Sequence, residues 1–480
     1  MNNKWLTYSS NIFFDEYLNN NSKIRKGFLR ASSFFSSLKP KEKKYYIESC
    51  KSAINSMGVT FRVYDTDNEF KDRQWPLDII PRIINQKDWN IVQKGLNQRT
   101  KALNLFINDV YNKQGFLELN PVLKDLVLKS SNFLPECCGI KPKNNIWANI
   151  SGIDLIRDHK GKFFVLEDNL RVPSGVAYML ENRNIMKRVV PELFNEYEVS
   201  PIDDYPSKLY RCLVESSYTT SKDMTIVILT PGVYNSAYFE HAYLAQQMGI
   251  ELVEASDLYV AKNNTVFMKT IYGKKKVDVI YRRIDDRFID PLIWYKNSKL
   301  GIPGLYNAWK HKKVAIVNAP GSGVADDKAV YAFVPKMIRY FLKEEPVLSQ
   351  VKTYVCAFKK DLEFVLNNLE TLVLKPVNES GGYGILIGPK ASKSELNKYK
   401  KKILDNPRNF VAQPLIRLST APTFINNKEQ PRHLDLRPFT LAGKNFFVTN
   451  GGLTRVAMKK GSTIVNSSQG GGSKDTWIIQ

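Results

Sequence analysis

The stretch from Asp223 to Asp285 constrains the fold of this chain more than any other. "DMTIVILTPG" is an apolar run ended by a Pro-Gly turn, and "SAYFEHAYLAQQMGI" is an amphipathic helical pattern closed by Gly249. "ELVEA" and "VDVIYRRID" are two further strand-like runs. A strand, a helix and a second strand in that order demand a parallel sheet with a right-handed crossover. Such a sheet takes its ligands at the carboxyl ends of its strands. Arg282 and Arg283 follow the last of these runs and are expected to reach that end.

The flanking regions carry different patterns. Residues 1 to about 115 are predicted to be mostly helical. "SCKSAINSMGVTFRVYD" reads as a helix ended by Gly58 and then a strand, and Pro81 in "DIIPRII" is expected to end whatever precedes it. From about Asp88, Trp89, Val92, Leu96, Leu103 and Phe106 recur near helical spacing, the signature of one long amphipathic helix. Near the other terminus "NSSQGGGSKDTWII" reads two ways. Its Gly/Ser run suits a flexible tail, whereas "DTWII" suits something buried.

Composition narrows the class. The chain has 480 residues, 43% of them hydrophobic, enough for several domains with real cores. No apolar run approaches the roughly 18 residues of a membrane helix, and the N-terminus has no signal-peptide pattern, so a cytoplasmic protein without a membrane partner is expected. Five scattered cysteines exclude a disulfide framework, and four histidines give zinc or haem little to build on. The net charge of +23 comes from short lysine clusters such as "KPKEKK" and "NKYKKK". No nucleic-acid-binding signature accompanies them, so solvated lysine faces are expected and no specific nucleic acid.

Two stretches carry chemistry. In "GIDLIRDHKGKFFVLEDNLRVPSG" two strand-like runs flank the polar turn "DHKG". Glu167 and Asn169 are two apart and share a strand face, and Asp154 can sit opposite them on the paired strand. Two carboxylates and an amide oxygen on one face suit a hard cation, Mg²⁺ above all. On these residues alone a solvated polar hairpin fits as well. In "LVLKPVNESGGYGILIG" two β-rich runs flank a glycine loop, with Lys375 at the end of the first. Gly381, Gly382 and Gly384 let backbone amides approach an anion. The loop does not match the Walker A pattern, and an ordinary β-turn is the alternative.

Taken together, "VLKPVNESGGYGI", "VAQPLI" and "DLRPF" resemble the ATP-grasp fold of D-alanine–D-alanine ligase and glutathione synthetase. In that fold the metal-binding Asp and Glu-x-Asn strands come after the lysine strand. Here Asp154, Glu167 and Asn169, followed by "RVPSG", come before it. The chain therefore resembles the circularly permuted ATP-grasp type 2 family, relatives of glutathionylspermidine synthase. The match covers nearly the whole chain, including "GLNQRTKALN", "YRRIDDRFIDPL" and "GGLTRVA".

The resemblance implies a mixed α+β and α/β chain in four parts. They are a mostly helical region over 1–115, the permuted metal-binding part over 116–205, an α/β pre-ATP-grasp domain over 206–317 and the nucleotide-binding part over 318–480. It implies ATP and Mg²⁺, or Mn²⁺ in its place, and small-molecule or peptide carboxylate and amine substrates. The reaction would form an amide through an acyl phosphate, releasing ADP and phosphate. Asp154, Glu167 and Asn169 would hold the metal. Lys328, Lys375 and the loop Ser380, Gly381, Gly382, Tyr383 and Gly384 would hold phosphates, and Gln413, Pro414 and Leu415 would contact adenine. Arg171, Arg282, Arg283, Arg437 and Arg455 would orient the carboxylate and stabilise developing charge. One departure matters: related ligases often carry an arginine two residues before the metal Asp, where this chain has Gly152. Another arginine, such as Arg171, Arg437 or Arg455, must then supply that charge. A nucleotide-binding partner or scaffold with weak or lost ligase activity is the other reading, and the intact Asp–Glu–Asn set argues against it.

Overall fold

The computed structural model describes residues 6, 8, 13–64, 70–377, 384–426, 428–462, 465 and 470–480. Among these residues the centre is a mixed sheet of ten strands. Along its main path the order is Ser349–Gln350, Phe163–Asn169, Ile150–Arg157, Lys428–Arg437, Leu453–Val456, Gly472–Ile479 and Leu77–Asn85. A hairpin from the first half of the chain thus pairs with strands from its last tenth. Apolar residues alternate along these strands and bury both faces. On one face the helix Gln86–Tyr111 sets Trp89, Val92 and Leu96 against Ile153, Leu155, Leu436 and Ile478. Its other spacing residues, Leu103 and Phe106, are also fully buried, and the Asn85 side chain caps its start by accepting from the Asp88 amide at 2.8 Å. On the opposite face the helix Val176–Val189 is tied to the sheet by Arg183, which donates to Asp475 at 2.8 Å.

The strand–helix–strand run forms the expected parallel sheet, in the order Ala315–Val317, Val279–Arg282, Ile226–Leu229 and Glu251–Val253, with every neighbouring pair parallel. The helix Tyr238–Met248 makes the first crossover and stops at Gly249, whose φ of +65° is the left-handed conformation glycine adopts freely. A third, antiparallel sheet runs Tyr354–Val355, Phe410–Pro414, Leu372–Pro376 and Leu386–Ile387. It carries the lysine strand and both flanks of the glycine loop. Among the described residues no helix is long and apolar enough to cross a membrane.

The N-terminal region has the expected helices, Leu29–Ser37 and Pro40–Ser56, and the strand Thr60–Tyr64 after Gly58. Pro81 departs from expectation. It lies inside the strand Leu77–Asn85 rather than ending an element. That strand is at the sheet edge, and the ladder shifts there, with Asp78 opposite Lys474 and Arg82 opposite Thr476. A bulge on an edge strand is where a residue without an amide proton is tolerated.

The C-terminal Gly/Ser run does not lead into a tail. Gly472–Ile479 is a strand buried along its whole length, flanked by Leu453–Val456 and Leu77–Asn85. Trp477 is fully buried against Phe194 and Tyr197, and its indole N–H donates to Asp475 at 2.5 Å. Replacing a buried Trp by Ala typically costs about 3–5 kcal/mol. Trp477→Ala should therefore lower the urea midpoint sharply. An unchanged midpoint would show that the last strand is peripheral to stability.

Candidate active site

The site begins with the hairpin Ile150–Arg157 and Phe163–Asn169. Its turn closes where the Asp158 amide donates to Lys162 O at 3.0 Å and Gly161 adopts φ +79°. The register sets Gly152 opposite Asn169 and Asp154 opposite Glu167. Directly opposed residues project to the same face, so Asp154, Glu167 and Asn169 share one. The intervening Ile153 and Leu155 point into the core on the other side.

Asp154 is 2% exposed and gripped by two arginines from distant strands. Arg437 Nε donates to Oδ1 at 2.5 Å and its Nη2 to Oδ2 at 2.8 Å, while Arg455 Nη2 donates to Oδ2 at 2.7 Å. Burial alone would raise this carboxyl, but the two guanidinium groups outweigh it and hold the group at about 2. A carboxylate offers about four lone-pair sites. Three are taken here, and one remains on Oδ1. Arg455 is itself anchored on Asp435, with Nε to Oδ1 at 2.9 Å. The absent side chain at Gly152 is part of this arrangement. A Cβ there would meet Arg437 Cδ at 3.1 Å and Pro173 Cβ at 3.2 Å. The Arg437 stem therefore lies over the strand at the position where an arginine was missing.

Glu167 is held less firmly. Among the described residues it forms an ion pair with Lys328 Nζ at 3.3 Å, and the Glu167 and Lys328 side chains are 30% and 14% exposed. Such a pair contributes about 0–1 kcal/mol. Removing one partner of a buried pair like Asp154–Arg455 costs about 3–5 kcal/mol. The face thus combines one fixed carboxylate and one that a ligand can recruit. Among the described residues the buried Asn169 amide nitrogen has no partner.

Lys375 approaches from the antiparallel sheet. Its Nζ donates to Gln413 Oε1 at 2.7 Å, and Gln413 Nε2 donates to Thr353 Oγ1 at 2.9 Å. Glu167, Lys328, Lys375 and Gln413 line one narrow cavity. That cavity shares Glu167, Asp326 and Lys328 with a wider cleft of 310 Å³, which Asn169, Arg171 and Arg283 also line. The far wall of the cleft is made by loops after the parallel strands: Asn235–Ala237, Arg283, Asp285 and Asp326. Lys328 reaches the cleft from the first turn of the helix Lys328–Tyr331, which Asp327 caps by accepting from the Ala329 amide at 2.8 Å.

The remaining arginines divide. Arg171 lines the cleft and pairs with Asp285 at 2.7 Å and Asp326 at 3.6 Å. Burial pushes the Asp326 carboxyl up to about 7 despite that arginine. Arg283 borders the cleft but serves a joint. It donates to Pro173 O at 2.7 Å and to Glu240 at 2.7 Å, and Glu240 in turn accepts from the Gly175 and Ala177 amides at 2.7 and 3.1 Å. Arg282, expected on the substrate carboxylate, is enclosed instead. It is 1% exposed, pairs with Asp286, and donates to Asn318 O at 2.6 Å and Ile284 O at 2.7 Å. Neighbouring residues on a strand point to opposite sides, so the two arginines cannot serve the cleft together.

Pro414 and Leu415 follow Gln413, half-buried and not among the residues lining the cleft. Gly384 adopts φ +67° at the end of the glycine loop, and its carbonyl accepts from Tyr399 Oη. Ser380, Gly381, Gly382 and Tyr383 lie outside the described residues. Sequence reasoning passed over Asn235, Ser236, His241, Asp285 and Asp326. The loop "TPGVYNSA" was the available signal, because it directly follows the first parallel strand.

The model of the circularly permuted ATP-grasp type 2 family matches residues 81–457. The chain belongs to that family. A Synechocystis protein of uncharacterised function is 48% identical over 475 residues, 99% of this chain and 98% of that protein. A Frankia casuarinae protein, provisionally named a glutamate–cysteine ligase, is 41% identical over 425 residues, 88% of this chain and 49% of that protein. Among solved structures, a glutathione synthetase-like effector from Globodera pallida in its apo form superposes with a TM-score of 0.61 at 12% identity. The match covers 92% of this chain and 98% of the effector, a likeness of fold.

In this ATP-grasp chain the Lys375 ammonium is crowded although the residue keeps some accessible surface. Burial lowers it from its ordinary range to about 8, against the opposing pull of Glu167 and with help from Lys328. Lysine is charged below its pKa, so this side chain should lose its charge as pH rises through 8, about two units before a surface lysine. In ¹³C-methylated protein, one dimethyl-lysine resonance should titrate near pH 8 and be absent from Lys375→Arg. If every lysine titrates near 10, Lys375 is not enclosed as described.

Proposed function

We propose that this protein is an ATP- and Mg²⁺-dependent ligase joining a carboxylate to an amine. The observation that carries the reading is that Glu167 and Lys375, 208 positions apart (375 − 167), line one cavity. ATP and a divalent metal are typical of the family, and a ligase name is carried by the Frankia casuarinae relative.

The donor set fits a hard cation. Asp154 keeps one lone-pair site on Oδ1, Glu167 has a weak lysine contact, and Asn169 lies on the same face with an amide oxygen to offer. These three residues would hold Mg²⁺, or Mn²⁺ in its place. When bound, the metal would neutralise phosphate charge and orient the leaving diphosphate. Lys328 and Lys375, with the backbone amides of the loop Ser380 to Gly384, would hold phosphate oxygens. The strand at Gln413, with Pro414 and Leu415 beyond it, would face the adenine. Arg437, lying over Gly152, would stand in for the arginine expected there, and Arg455 would keep Asp154 ionised.

The chemistry asks for positioning and charge stabilisation, with no protein nucleophile. A substrate carboxylate oxygen attacks the γ-phosphorus, and ADP departs with the electron pair of the broken P–O bond. An amine then attacks the acyl carbon and loses a proton, and phosphate departs. The small acids and amines that fit between the parallel-sheet loops and the hairpin are the partners this reading requires.

Two results test it. ATP with Mg²⁺ should raise the melting temperature, because a native-state ligand at 100 times its Kd adds about 2.7 kcal/mol. Glu167→Gln should keep the fold and lower acid- and amine-dependent ADP release by roughly 100-fold or more, as loss of a few kcal/mol of charge stabilisation implies. A Glu167→Gln protein releasing ADP at the parental rate would remove the hairpin from the mechanism.

A further inference from the structure

We infer that Arg99 is a positioning residue: it locks the strand carrying Glu167 and Asn169 to the helix carrying Lys328, and so sets the space between the proposed metal ligands and the proposed phosphate lysine. The inference rests on the ligase reading for what fills that space, and concerns how the space is held.

Asp168 is the starting point. It lies between Glu167 and Asn169, so it points the opposite way, and the register sets it across from Ile153 on the core face. An apolar residue would serve the packing there. A carboxylate is costly at such a position unless it is paired and hydrogen-bonded. Arg99, from the helix Gln86–Tyr111, meets it as a fork, with Nε donating to Oδ1 at 2.7 Å and Nη2 to Oδ2 at 2.6 Å. The two side chains are 2% and 1% exposed. Arg99 belongs to the run "GLNQRTKALN" and lines neither the cleft nor the narrow cavity beside it.

The same guanidinium group reaches two further elements. Its Nη1 donates to Gln350 Oε1 at 3.0 Å, and Gln350 Nε2 donates to Tyr331 O at 2.9 Å. The guanidinium carbon lies 5.2 Å from the centre of the Tyr331 ring. The Tyr331 hydroxyl in turn donates to Val165 O at 2.7 Å. Tyr331 ends the short helix whose first residue is Lys328. A closed loop of contacts therefore runs from Asp168 through Arg99, Gln350 and Tyr331, and returns at Val165 to the strand it left.

On the site side of that strand, Glu167 and Lys328 approach to 3.3 Å. A partly exposed pair of this kind is too weak to hold the spacing itself, and a ligand that recruits both groups breaks it. The rigidity comes from behind, through the backbone of both elements. A planar fork fixes direction as well as distance, which a lysine ammonium in the same place does not. Removing the groups that orient metal ligands typically lowers metal affinity by roughly 10–100-fold.

Calorimetry on the full chain tests this. The affinity of a non-hydrolysable ATP analogue is measured with saturating Mn²⁺ and again with EDTA. In the parent the metal should tighten binding by about tenfold or more. Arg99→Met combined with Asp168→Leu removes the pair without stranding a buried charge, a replacement that is often neutral or stabilising. Arg99→Lys keeps the charge and loses the fork. Both should melt within a few degrees of the parent and lose most of the gain from metal. A parental gain in either folded variant overturns the inference, because a merely structural pair would move the melting temperature and leave that ratio alone. Failure of both variants to fold overturns it too, since the pair is then a requirement of folding. If the parent binds no analogue, or gains nothing from metal, the ligase reading beneath the inference fails instead.

Discussion

The arrangement depends on one buried carboxylate. Asp154 receives Arg437 and Arg455 from strands 283 and 301 positions further along the chain. A charge at that depth is tolerated only because both guanidinium groups reach it, and Arg455 is further balanced by Asp435. The contact fixes how the early hairpin sits against the late strands. It also sets the geometry of the shared face on which Glu167 and Asn169 lie. The weak Glu167–Lys328 pair beside it leaves the ligand-facing margin adjustable. A rigid centre with a loosely held edge is what a site must have to be preorganised and still open to a ligand.

The parallel sheet is fastened to this centre by a second buried pair. Arg283 and Glu240 hold the turn Pro173–Gly175, which leads from the strand Phe163–Asn169 into the helix Val176–Val189. Arg437 holds the same turn through Ser174 O at 3.2 Å. The loops at the carboxyl ends of the parallel strands are thereby brought over the hairpin, and the cleft lies between them. Arg282 and Arg283 organise backbone around the cleft.

How much of this was legible in the sequence follows the range of the forces involved. The hairpin was readable because period-two alternation and a polar turn are local, and its register followed from the shared face. The long helix was readable from Trp89 to Phe106 for the same reason. Pro81 was misjudged because its tolerance depends on an edge and a bulge, properties of the partner strand. The burial of Gly472–Ile479 depends on Leu77–Asn85, nearly the whole chain away, so a Gly/Ser run looked like a tail. Arg282 and Arg283 looked equivalent because adjacency hides which side of a strand each faces. His241 carried no local signal at all: one histidine on a helix acquires meaning only when the loops around it form a cleft.

The central claim is that both halves of the chain touch one nucleotide. A crystal structure of the full chain with a non-hydrolysable ATP analogue and Mg²⁺ tests it most directly. The account requires Lys375 within hydrogen-bond distance of the phosphates, and a metal on those same phosphates coordinated by Glu167 and Asn169. A nucleotide bound elsewhere, or one contacted by Lys375 with the hairpin carboxylates turned away from it, would contradict the account.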